Sequence, residues 1–353
     1  MQIKKIIYIL AITLLTTNLT SCYDSKEIDD MVYILAIGVD KYTENENIYT
    51  LQAAVPLNID GGVETGFATS EESVTIQNIS VTSDNLLSAI ETANASLAKE
   101  INISHCKIVL FSQGLSSTQF KNNITTINQF NKFSPNTMIA MCEEKASEYL
   151  DKISSPFEKN PARYYSMYFK KDFSSNSFNA KISDFEKRDI LAIPLLGENN
   201  STKAAILNNY KNILTLSESE TFAYNLLNGT FAKGNITVND NRINTSIQPS
   251  SSPKIKINAN GTYPAFKIEL NLEGKIFSYG SDETNSIKLL EKYIEKNCLD
   301  FLEKIKSYNV DVLSLNKFLR SKFPTLSSYE TYDWKNKFPH SKFEVKVNFK
   351  SIK

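Results

Sequence analysis

Apolar and polar positions along this chain change period several times, and each change predicts an element. Met31 to Val39 (MVYILAIGV) is a continuous apolar run closed by Asp40, which reads as a buried strand ending in a turn. Ile48 to Val55 reads as its hairpin partner, stopped by Pro56. After a polar loop over 56–73, Val74 to Val81 alternates as a third strand. Ser83-Asp84 then offers an N-cap. Leu86, Leu87, Ile90, Ala93, Leu97 and Ala98 fall on one helical face behind it. Lys107 to Phe111 predicts a strand, Thr118 to Phe130 a helix, Thr137 to Cys142 a strand and Ala146 to Ile153 a short helix. The order βββαβαβα mixes hairpins with crossovers and points to an α+β fold.

The pattern breaks over 154–202, where Pro156, Pro161 and Pro194 stand among many Asn, Ser and Lys. This stretch reads as an irregular subdomain or a link. Ala204 to Leu207 and Asn212 to Leu216 then suggest a hairpin. Ser217-Glu218-Ser219-Glu220 has the form of a capping box, which starts a helix over Thr221 to Leu227. Period-2 alternation returns at Ile255 and Ile257 and at Phe266, Ile268, Leu270 and Leu272, as expected of antiparallel strands with one wet face. Asp282 is placed to cap the longest helix, whose apolar stripe is Ile287, Leu290, Ile294, Cys298, Phe301, Leu302 and Ile305. A helical segment over Val310 to Phe323 and a last alternating strand, Phe343 to Phe349, complete the reading. The expected organisation is a signal peptide over 1–21, a region of one or two α+β subdomains over 22–200, and an α+β domain over 201–353. Mixed, mostly antiparallel sheets with packed helices are expected.

Chemistry changes the picture most at the N-terminus. Lys4 and Lys5 precede the ten-residue apolar run Ile6 to Leu15, followed by Leu19-Thr20-Ser21-Cys22. A bilayer-spanning helix needs about 20 apolar residues, so the layout is that of a secretory signal peptide. Its last four residues resemble a bacterial lipobox, in which the Cys22 thiol takes a diacylglyceryl group. Two acyl chains make a stable anchor where one does not. The chain balances 39 basic against 39 acidic side chains, and loss of Lys4 and Lys5 with the signal leaves a slight acidic excess. No nucleic-acid partner is expected from that balance.

Cys106, Cys142 and Cys298 are too few and too scattered for a disulfide framework and read as small buried hydrophobes. His105-Cys106 is the only adjacent pair of strong metal ligands. On a strand the two would point to opposite faces, so a structural role is expected for them, and likewise for His340 in its Pro-flanked loop. Neither a metal nor a cofactor is expected. The acids Asp24, Glu27, Asp29 and Asp30 read as a solvated tether face. Gly61-Gly62 reads as a bare turn. Tyr164, Tyr165, Tyr168, Phe169 and Phe173 read as aromatic packing between domains. None of the common metal, nucleophile or phosphate-loop motifs is present, and a non-catalytic protein is expected. A solute-binding lipoprotein of an envelope transport system is the alternative, which would need two lobes with a ligand cleft between them.

Several segments together resemble the Ger(x)C spore germination lipoproteins, the C subunits of germinant receptors. They are Cys22-Tyr23-Asp24, Glu27-Ile28, Gly38-Val39-Asp40, Ser104-His105-Cys106-Lys107 and Ser134-Pro135-Asn136. In the second half they are Ala204 to Leu207, Leu216 to Thr221 with Glu220, and Phe338-Pro339. Tyr23 stands where the family usually has Trp, and Ser112-Gln113 where an acidic pair is common. The resemblance implies lipidation at Cys22 and structural or partner-contact roles for Tyr23, Asp24, Glu27, Gly38, Asp40, His105, Lys107 and Glu220. It also implies an elongated, multidomain α+β shape and a place at the inner spore membrane, lipid-anchored and facing outward, with the membrane-embedded A and B receptor subunits as partners. Contact with a small-molecule germinant is left open.

Overall fold

Strand β1 (Met31–Lys41) is buried almost throughout, from Ile34 to Asp40 on both faces. Its sequence is therefore continuously apolar rather than alternating, as strands covered on both sides are. The computed structural model describes residues 31–55, 75–130, 132–152, 158, 161–170, 176–197, 202–238, 243–259, 261–277 and 282–352. The expected signal peptide over 1–21, Cys22, Tyr23, Asp24, Glu27, Asp29, Asp30, Gly61-Gly62 and Phe173 lie outside them.

β1 runs antiparallel to β2 (Asn47–Val55), which pairs in turn with β3 (Thr75–Ser83). Helix α1 (Leu86–Ser96), capped by Asn85, carries the chain to the other side of β1. There β4 (Glu100–Asn102) and β5 (Ile108–Ser112) pair with successive stretches of β1, both parallel to it. Helix α2 (Ser117–Gln129), started by a Ser116/Gln119 capping box, leads to parallel β6 (Met138–Cys142). Helices α3 (Ala146–Lys152) and α4 (Pro161–Tyr168) precede β7 (Ile190–Leu196), also parallel. The hairpin β8 (Thr202–Asn208) and β9 (Lys211–Leu216) closes the sheet, in the order β3-β2-β1-β5-β6-β7-β8-β9.

Alternation along the strands divides the core between the two faces. Val109 and Phe111 of β5 face α1 and α2, packing with Leu86, Ala93, Phe120 and Ile124. Ile108 and Leu110 face the other way, with Ala146, Leu150, Tyr168 and Phe169. A register shift between Ile34 and Ala36 lets Ile34 join the same face as Ile37 and Val39 despite the odd spacing.

The second sheet is built on the long strand β13 (Ala265–Phe277). Its C-terminal half pairs with β11 (Ile243–Pro249), which carries β10 (Gly234–Val238) outside it. Its N-terminal half pairs with β12 (Lys254–Asn258). Helix α6 (Glu283–Ser307), capped by Asp282, returns the chain toward β14 (Lys342–Ser351), which runs parallel to β13. The free edge of β14 is covered by this helix. The Glu295 and Glu291 carboxylates accept the N–H groups of Val347 (3.0 Å) and Phe349 (2.8 Å), so two edge donors that another strand would otherwise pair are taken.

One core joins the two sheets. Ala204, Ile206, Leu214 and Leu216 of the first sheet pack with Phe222, Leu226 and Leu227 of α5 (Glu218–Asn228). The same cluster continues through Leu290, Ile294, Phe301 and Ile305 of α6 to Phe266, Ile268, Val345 and Val347 of the second sheet. Helices α5 and α6 thus pack between the two sheets. The fold is α+β with mixed sheets.

Several elements differ from the sequence reading. β7 was hidden by Pro194, which is tolerated because β6 pairs only with the last two residues of β7, Leu195 and Leu196. β8 and β9 lie beyond residue 200 yet continue the first sheet. β4, β10 and β11 are short and polar on alternate positions. Over Val310 to Phe323 only α7 (Leu315–Arg320) is helical, because Ser314 adopts a left-handed conformation (φ 55°) before it.

The backbones of β11 and β13 approach closely at Gly274. A Cβ there would lie 1.8 Å from the Ser246 carbonyl oxygen. Gly274→Ala should therefore destabilise the protein by about 3 kcal/mol, read as a lowered urea midpoint. Gly114→Ala, whose Cβ would stand 3.9 Å from Ser112 Oγ, should stay within about 0.5 kcal/mol.

Candidate functional site

The Gly38-Val39-Asp40 segment fastens α3 to the sheet. Asp40 is 3% exposed. Its Oδ1 accepts the Ala146 N–H at 2.7 Å and its Oδ2 the Ser147 N–H at 2.9 Å. These are first-turn donors with no partner inside the helix, and the helix dipole adds to their attraction for a carboxylate. Gln52 of β2 donates to the Leu150 carbonyl at 3.2 Å, holding the helix further along. Between these contacts Gly38 leaves room: a Cβ would meet Leu150 Cδ1 at 3.0 Å and the Ala146 carbonyl carbon at 3.2 Å. The same device recurs at Asp311, which accepts from Leu315 (2.7 Å) and Asn316 (2.8 Å) at the start of α7. Burial pushes the Asp311 carboxyl above its ordinary range, and those two N–H bonds only partly offset it.

His105 and Cys106 do not lie on a strand. They form part of the turn extruded between β4 and β5, closed by a bond from the Cys106 N–H to the Ile103 carbonyl (2.9 Å). The exposed His105 ring stands edge-on to Tyr33, with centroids 5.0 Å apart. The Cys106 thiol donates to the Ile108 carbonyl at 3.4 Å, and burial pushes its pKa up to about 12. Cys142 and Cys298 are also free and buried, and burial raises their thiols too. His340 ends a short 3-10 turn over Phe338–His340, its ring 4.8 Å from that of Tyr263.

Lys107 closes the extruded turn. Its N–H donates to the Leu35 carbonyl (2.9 Å), and its carbonyl accepts from Met138 (2.9 Å). Its side chain is exposed on the wall of a cavity of about 320 Å³, shared with Ser134, Asn136, Lys170, Asn179 and Lys181. Lys170 and Lys181 were not legible as site residues, because only the fold brings the end of α4 and the segment before β7 to this point. Tyr164, Tyr168 and Phe169 of the aromatic group do not lie between domains. Tyr168 and Phe169 pack into the first sheet's own core, with Tyr164 stacked on Tyr168 at 5.7 Å.

Glu220 does two jobs at the junction of the sheets. With Ser217 it forms the capping box of α5: it accepts the Ser217 N–H at 2.8 Å, and Ser217 Oγ accepts the Glu220 N–H at 3.3 Å. Both of its oxygens also accept from Lys304 Nζ of α6 at 2.7 Å. Partial burial would raise its pKa, but the Lys304 and Ser217 hydrogen bonds outweigh that and hold it below the ordinary carboxylate value.

Two predictions follow from these anchors. Asp40→Ala leaves one buried and one half-buried helix donor unpaired and should cost about 2 kcal/mol in chemical denaturation, and Asp40→Asn, which keeps one acceptor, less. For Glu220, the lowered folded pKa means its stabilisation is present above 4.5, the ordinary value, and is lost as pH falls through the folded one. Lys304→Met should therefore lower stability by about 1 kcal/mol at neutral pH and flatten the acid limb of the stability profile.

Comparison with known proteins agrees along the chain. Residues 24–188 match the family described as "Spore germination protein N-terminal domain", and residues 202–352 match "Spore germination B3/ GerAC like, C-terminal". A curated relative, "Spore germination protein KC" of Bacillus subtilis (strain 168), is 22% identical over 162 residues, 46% of this chain. The matched stretch spans 39% of that protein's length. The fold is shared with the structure titled "Crystal Structure of the GerBC protein", at a TM-score of 0.55 and 16% identity, over 90% of this chain and 97% of that one. With one family region in each half, in the order the resemblance implies, the chain belongs to the Ger(x)C family of spore germination proteins.

Proposed function

We propose that the protein is the C subunit of a spore germinant receptor, a non-catalytic component needed for the germination response to nutrients. Cys22 carries the lipid that anchors it to the inner spore membrane, facing outward, where it works with the membrane-embedded A and B subunits. The observation that carries this reading is the tandem family match over residues 24–188 and 202–352. The architecture supports it as well. The acids Asp40 and Glu220 are engaged as backbone caps and helix ties, which suits a scaffold that acts through its surfaces. The strand β1 begins at Met31, so a lipid on Cys22 would hold the first sheet near the bilayer. Tyr23, Asp24 and Glu27, close to the anchor in the sequence, are the contacts with the membrane subunits in this reading.

Spores lacking the chain should lose dipicolinate release in response to particular nutrients, and the intact gene should restore it. Cys22→Ala should release the chain from the spore membrane fraction and reduce that response several-fold. Membrane retention and response both at wild-type level in the Cys22→Ala spores would remove the anchor from the account. An unchanged response to every nutrient in spores lacking the chain, with no A or B subunit co-purifying from wild-type membranes, would remove the receptor role.

A further inference from the structure

The cavity beside Lys107 sits at the N-terminal ends of the parallel strands β5 and β6 and is walled by Lys107, Lys170 and Lys181, with Ser134, Asn136 and Asn179. Two segments far apart in the sequence, Ser104 to Lys107 and Ser134 to Asn136, meet there. Among the described residues, no carboxylate lines the cavity. Asp184, shortly after Lys181, is engaged elsewhere: it accepts the Lys181 backbone N–H at 2.9 Å and lies 4.0 Å from Lys187 Nζ.

The hydrogen-bonding capacity of the wall is lopsided. Its acceptors are largely consumed within the protein. Asn136 Oδ1 accepts from Lys181 Nζ at 3.0 Å, Ser134 Oγ accepts the Asn136 N–H at 3.2 Å, and the Lys107 carbonyl accepts from Met138. The Cys106 carbonyl accepts from Thr137 Oγ1 at 3.2 Å. What remains is a surplus of donors: the ammonium groups, the Asn136 NH2 and the Ser134 hydroxyl. Fixing the Asn136 oxygen on Lys181 also orients both side chains before anything binds. A volume of about 320 Å³ is at the lower end of what small-molecule sites occupy. Charge-assisted hydrogen bonds to an oxyanion are roughly twice as strong as neutral ones.

We propose that this cleft binds a small anion with several acceptor oxygens, of the phosphate class, held by Lys107, Lys170 and Lys181. The site does not depend on the receptor reading, because it stands on the cleft alone. The anion is either free in solution or the headgroup of a phospholipid.

The test is calorimetric titration of the full chain, in a neutral detergent and at fixed ionic strength, with inorganic phosphate and separately with short-chain phosphatidylglycerol. The comparison is the double variant Lys107→Gln, Lys170→Gln. Both residues are exposed, and unchanged far-UV circular dichroism checks that the fold is kept. Saturable phosphate binding, weakened about tenfold or more in the double variant, is the expected result. Lysine-dependent phosphatidylglycerol binding tighter than phosphate assigns the anion to a headgroup, and weaker binding assigns it to a free ion. Binding of phosphate and of phosphatidylglycerol that is equal in the two forms, or absent from both, overturns the proposal.

Discussion

The contact between α5 and α6 is the constraint on which the rest of the structure depends. Helix α5 is buried from Thr221 to Leu227 on every side, which a surface helix never is. One side packs on β8 and β9, and the other on α6, which covers the second sheet. Tyr224 shows how tightly the parts are joined. Its ring stands 5.6 Å from Phe178, ahead of β7, and 6.2 Å from Phe301 of α6. Glu220 adds a polar tie from the same helix, through Lys304. Loosening this helix would expose apolar surface on both sheets at once.

A second regularity is the use of acids as acceptors for backbone N–H groups. Asp40 and Asp311 hold helix starts, Glu220 closes a capping box, and Glu291 and Glu295 take the edge donors of β14. In each place a carboxylate satisfies donors that would be costly to bury unpaired. These residues therefore position elements. The basic cleft at Lys107 has the opposite character. Most of its acceptors are taken within the protein, which leaves spare donors for a partner.

The device at Asp40 also explains why the segment Gly38-Val39-Asp40 has the form it has. Gly38 gives α3 its close approach and Asp40 its cap, while Val39 points to the other face, into the core with Phe111. Period-2 alternation puts the two functional positions on the same side of β1.

Local physics was legible in the sequence wherever one element contained its own signal. The buried run of β1, the Ser217/Glu220 capping box, the stripe of α6 with its Asp282 cap and the alternation of β13 could all be read from neighbouring residues. So could the three buried cysteines and the α+β class. What only the tertiary structure decided were relations between distant segments. Neither the parallel centre β1-β5-β6-β7 nor the continuation of that sheet through β9 is written in any local period. The same is true of the turn that holds His105 and Cys106 off the sheet, since the three-residue β4 before it has no local strand period and is fixed only by its pairing with β1. Lys170 and Lys181 meet Lys107 for the same reason. Hydrophobic periodicity specifies which face of an element is buried. It carries no information about which other element buries it, because apolar contact is non-directional and is decided by packing of the whole chain.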